Sequence, residues 1–101
     1  MINVNLPVAC SLSGSELQER RRDVLQRVKD VVAEVRELED GFLYRFSPEA
    51  RFAELASLVE LEHQCCPFLA FRITVEPGAG PISLELTGPP GTKDFLKELF
   101  A

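Results

Sequence analysis

Glu62, His63, Cys65 and Cys66 fall within five residues, in the segment Glu60-Leu61-Glu62-His63-Gln64-Cys65-Cys66-Pro67-Phe68. Two thiols, the chain's only histidine and a carboxylate are therefore close in sequence. Thiolate, imidazole and carboxylate are all transition-metal ligands, and thiolates select soft ions. Pro67 lacks an N–H and restricts the residue before it, so a helix carrying these groups should stop near Cys66. Adjacent Cα atoms lie about 3.8 Å apart, short of the roughly 4.4–6.8 Å that an ordinary disulfide spans, which disfavours a Cys65–Cys66 bridge.

The surrounding pattern predicts the elements that must position this cluster. Val4, Leu6, Val8 and Cys10 alternate with Asn3, Asn5, Pro7 and Ala9, as in a half-buried strand. Ser13 and Glu16 fit a capping box, and Leu17, Val24, Leu25, Val28, Val31 and Val32 follow with helical period. Strands over 34–38 and 42–46 flank the turn Glu39-Asp40-Gly41, with Phe42, Tyr44 and Phe46 on the buried face. Ser47 and Pro48 open a second helix with the apolar stripe Phe52, Leu55, Ala56 and Val59. Leu69 to Val75 and Ile82 to Leu86 read as two more strands, and Thr92 caps a last helix. The order β-α-β-β-α-β-β-α predicts a single α+β domain over residues 1–101. It is a ferredoxin-like βαββαβ unit with an added C-terminal strand and helix, on a five-stranded antiparallel sheet.

In that fold the first strand lies between the third and fourth, so Cys10 should converge on Cys65 and Cys66. The expected metal set is Cys10 and Cys66, His63 or Glu62, and Cys65 or water, holding zinc or another thiophilic ion. At 100° per residue, Cys66 falls on the apolar stripe of the second helix, Cys65 on its flank, Glu62 between them and His63 on the core face. Each has a competing reading. Free cysteines pack as small hydrophobes, a lone histidine on an apolar face is often a satisfied core residue, and Glu62 can face solvent. The negative end of the helix dipole disfavours thiolates at Cys65 and Cys66, whereas Cys10 precedes a helix N-terminus and suits a low-pKa thiol.

Composition narrows the function. The chain has 101 residues, a net charge of −5 and three cysteines. The acidic balance argues against non-specific nucleic-acid binding. Arg20-Arg21-Arg22, the only basic run, reads as a solvated helix face paired with Glu16, Glu19 and Asp23. No apolar run approaches the roughly 20 residues that span a bilayer, and the N-terminus lacks a basic n-region. An odd cysteine count without secretory features predicts a cytoplasmic location and free or metal-bound thiols.

Cys10-Ser11-Leu12, the run from Glu62 to Phe71 and the run from Glu85 to Thr92 together resemble a small bacterial family with an E-x-x-C-C-x-F-L-x-F signature. Similar segments extend the C-terminus of some regulators of the mercury-resistance (MerR) type. The resemblance covers nearly the whole chain from about Cys10. It implies sensing of a heavy metal or thiol-reactive ligand, with Cys10, Glu62, Cys65 and Cys66 at the matching positions. The winged-helix part of those regulators is not in this chain. The leading expectation is a metal-ion sensor, buffer or carrier, with no nucleic-acid or membrane partner. A thiol-disulfide or thiol-transfer enzyme using Cys10 is the alternative. A third is a dimerisation module with structural cysteines, pairing with a second copy through an exposed sheet edge.

Overall fold

A computed structural model describes residues 14–78 and 80–100. The expected first strand, Cys10 and the Ser13 cap lie outside the described residues. Helix α1 (Ser15–Asp30) buries Val24, Leu25 and Val28. Its N-cap is Gly14, at φ 97°, a conformation that glycine adopts without a Cβ clash. The helix stops at Asp30, short of the expected Val31 and Val32. Val31 is its C-cap and Val32 opens strand β1 (Val32–Glu37), where β-branched side chains are at home.

The hairpin forms as expected. Strand β2 (Gly41–Phe46) pairs antiparallel with β1, and the Leu38 N–H donates to the Gly41 carbonyl at 2.9 Å. Phe42, Tyr44 and Phe46 are all buried. The second helix begins later than the sequence suggests. Ser47 to Ala50 form a turn closed by the Ala50 N–H on the Ser47 carbonyl at 3.0 Å, and α2 runs over Phe52–Cys65 with Arg51 as N-cap. Pro48 therefore serves the second position of a turn, which its fixed φ also suits. The apolar stripe is rotated accordingly. Leu55, Leu58, Leu61, Glu62 and Cys65 are buried, while Phe52 and Ala56 are exposed.

Strands β3 (Ala70–Val75) and β4 (Ile82–Thr87) follow, then α3 (Thr92–Leu99). Gly91, at φ 100°, is the α3 N-cap; Thr92 is the first helical residue, and its hydroxyl donates to the Pro89 carbonyl at 2.6 Å. The described sheet has four antiparallel strands in the order β1-β2-β4-β3. This corrects the ferredoxin-like order. The place between β2 and β3 that was expected for the chain's first strand is filled by β4, whose Leu84 and Leu86 pair with Tyr44 and Phe42 on one side and with Ile73 and Phe71 on the other. Apolar period alone ranks a strand as buried without fixing its neighbours. The β2–β4 approach is close. A Cβ on Gly41 would sit 1.8 Å from the Leu86 carbonyl oxygen.

Opposed residues of an antiparallel ladder share a face. Phe42, Tyr44, Leu84 and Leu86 join Val28, Leu55, Leu58 and Leu96 in one core, so all three helices lie on that face. The other face is a charged ladder, with Arg45 on Glu34 at 3.4 Å and Arg72 on Glu85 at 3.9 Å. Helices α1 and α2 pack on each other over the core, and that contact brings the first helix to the cysteines. No helix among the described residues is long and apolar enough to cross a membrane.

Candidate functional site

Helix α2 ends where Pro67 requires. Cys65 is its last residue, and Cys66 is the C-cap, at φ −123° and ψ 74°, out of the helical region that a following proline disfavours. The Cys66 N–H closes on the Glu62 carbonyl at 2.6 Å, and the Leu69 N–H bonds the Cys66 carbonyl at 3.1 Å across the turn Cys66-Pro67-Phe68-Leu69. Phe68 and Leu69 are buried, and the Phe68 ring meets Phe95 of α3 edge to face at 5.1 Å. A hydrogen-bonded, packed turn thus fixes both cysteines.

Both cysteine side chains are fully buried. Cys66 is a free thiol, whereas Cys65 is disulfide-bonded. The neighbours are therefore not bridged to each other, in line with their short Cα spacing. The expectation of free thiols needs correction at Cys65. It rested on compartment, which says nothing about which sulfurs the fold lets meet. Cys10 lies outside the described residues.

Glu62 is the finding that changes the site. It is only 1 % exposed, in the core stripe one turn before Cys66. Arg21 of α1 engages it with both arms of the guanidinium, Nε to Oε2 at 2.5 Å and Nη2 to Oε1 at 3.0 Å. The Cys66 thiol donates to Oε1 at 3.7 Å. Both carboxylate oxygens are thus engaged within one Arg21–Glu62–Cys66 network. Burial works to lower the Arg21 guanidinium, but the hydrogen bonds and charge of Glu62 outweigh it and hold the group raised. Burial first, and then the Glu62 charge, push the Cys66 thiol up from 9.0 to about 12, against the opposing pull of Arg21. The thiol is thus held protonated at neutral pH in this arrangement.

Arg21 is not the solvated residue its basic run suggested. The signal was available. Arg21 stands four before Leu25 and three before Val24, on the buried stripe of α1, while Arg22 is exposed. His63 departs from its expected place on the core face. It is exposed, with its ring edge-on to Phe71 at 6.2 Å. The real stripe runs through Leu58, Leu61, Glu62 and Cys65, which leaves position 63 outside it. The structure thus brings Glu62, Cys65 and Cys66 to one buried end of α2 and leaves His63 at the surface. Among the described residues, no three His, Cys, Asp or Glu side chains group as a metal set.

Comparison with family models, with curated proteins and with solved structures finds no match to this chain.

Proposed function

We propose that this protein binds a thiophilic metal ion through sulfur at the C-terminus of α2, as a sensor, buffer or carrier. The supporting observation is the buried free Cys66 thiol, hydrogen-bonded to a Glu62 carboxylate whose charge Arg21 already balances. Because Glu62 and Arg21 cancel, the only charge the site gains on deprotonation is that of its thiolates. Two thiolates and a divalent soft cation restore neutrality, which a buried site requires. A bound cation also deprotonates the thiols that coordinate it, so a thiol held protonated in the free protein becomes a ligand as the ion enters. Glu62, with both oxygens engaged, acts from outside the sulfur shell, orienting Cys66 and receiving its hydrogen bond.

In this reading Cys65 is open to metal only when reduced. The resemblance to extensions of mercury-resistance regulators points to the same ligand chemistry. The disulfide at Cys65 beside a free thiol also favours a second reading, thiol-disulfide exchange. Against it, a thiol near 12 is ionised to only about one part in 10⁵ at pH 7, and the thiolate is the nucleophile. Exchange would have to start at Cys10.

Cadmium titration followed by thiolate charge-transfer absorbance tests the proposal, on protein reduced with a phosphine and on untreated protein. Reduced wild type should bind, Cys10→Ser and Cys66→Ser should each weaken binding far more than His63→Ala, and binding should release protons. No binding by the reduced protein, or serine variants that bind as tightly as wild type, would reject it. Catalytic turnover of a small disulfide would move the assignment to exchange.

A further inference from the structure

Strand β1 is an edge of the described sheet, hydrogen-bonded to β2 on one side. We infer that β1 pairs antiparallel with β1 of a second copy, about a two-fold axis at Val35, joining two sheets into one.

The backbone alternation sets the register. The Leu38 N–H bonds Gly41 across the hairpin, so Arg36 and Glu34, two and four residues earlier, also turn their backbone groups toward β2. Val35 and Glu37 turn theirs outward, toward an incoming strand. With the axis at Val35, the outward N–H and C=O of Val35 meet those of the second copy's Val35 as a mutual pair.

The side chains agree with that register. Centring on Val35 sets Glu34 of each copy opposite Arg36 of the other, on the same face, which makes two ion pairs across the interface. In the single chain Glu34 lies 3.8 Å from Arg36 and 3.4 Å from Arg45, exposed ion pairs that hold it weakly and that Arg36 of a second copy would join. Val35 itself is 54 % exposed, which is unusual for an apolar strand residue on the helix-covered face. It borders a groove of about 230 Å³ with Phe42, Tyr44, Leu96, Lys97 and Phe100, where the Tyr44 and Phe100 rings stack at 4.3 Å. A second Val35 would cover that apolar surface. Charges on an edge strand ordinarily block such pairing. Here their order, Glu34-Val35-Arg36, is self-complementary about the central valine. The opposite edge lacks this property. Strand β3 centred on Ile73 would set Arg72 opposite Thr74, with no charge pair.

Sedimentation across a dilution series tests the pairing, with far-UV circular dichroism as the folding control. Wild type should run at twice the chain mass at the high end of the series. Arg36→Glu places Glu34 against a glutamate, and Glu34→Arg places arginine against Arg36, so each variant alone should be monomeric. An equimolar mixture of the two restores opposite charges at both contacts and should form a heterodimer. Val35→Lys should be monomeric alone and in every mixture. A wild type that stays monomeric throughout would overturn the inference. Single variants that remain dimeric, or a mixture that fails to associate, would also overturn it.

Discussion

Arg21→Met should destabilise the protein by about 3 kcal/mol at pH 7, because it strands a carboxylate in the core. Breaking a buried ion pair from one side costs about 3–5 kcal/mol, since the remaining charge has no partner. Two features place this pair at the lower end. The Arg21 side chain is 18 % exposed, so the pair sits at the rim of the core, although Glu62 is only 1 % exposed. Water entering the rim vacated by the guanidinium also solvates part of the stranded charge. For a chain of this size the fall in Tm would be about 12–24 °C. The double variant Arg21→Met/Glu62→Met removes both charges and should recover at least about 2 kcal/mol of the loss. Urea denaturation of wild type and the variants at pH 7, with the disulfide state held constant, measures these values. A cost under about 1 kcal/mol, or strict additivity, would refute the buried pair.

Two further outcomes follow from the same geometry. The folded chain keeps the Cys66 proton up to about 12 while the unfolded chain releases it near 9.0, so stability holds below pH 9 and falls between 9 and 12. Cys66→Ala should flatten that decline by up to about 1.4 kcal/mol per pH unit, leaving the alkaline contribution of Tyr44, which burial also raises, in both proteins; parallel stability curves for the two would contradict it. Gly41→Ala should cost about 3 kcal/mol or more, because its Cβ would fall 1.8 Å from the Leu86 carbonyl and push β2 away from β4; a Tm within a few degrees of wild type would show that the strands can part cheaply.

The sequence made some of this legible and concealed the rest for identifiable reasons. The hairpin was readable because Asp40-Gly41 is a turn signal and Phe42, Tyr44 and Phe46 alternate strictly. The end of α2 was readable because proline chemistry is local. The start of α2 was not, because Ser47-Pro48 suits a turn as well as a helix start, and placing the start at Ser47 went with a misplaced stripe. That shift exchanged the surroundings of two site residues. Glu62, expected between the stripe and its flank, lies in the core, and His63, expected on the core face, lies at the surface. Strand order was out of reach for another reason. Strands β2, β3 and β4 are each apolar on one face, and nothing local says that β4 rather than the first strand enters between β2 and β3. Arg21 lay in between. Its place on the α1 stripe was visible, but its partner is 41 residues away, and only tertiary packing connects them.

That long-range pair gives the site a mechanical consequence. Arg21 belongs to α1, Glu62 and Cys66 to the end of α2, and the carboxylate is the shared acceptor. If Cys66 binds a cation as proposed, the thiol proton would leave and with it the hydrogen bond to Oε1. Arg21 would still hold Glu62, and ligand chemistry at one helix terminus would reach the contact between two helices through three side chains. The thiol's hydrogen bond to the buried carboxylate also stabilises the core, so cadmium titration of Cys66→Ser is the measurement that separates a site from a staple.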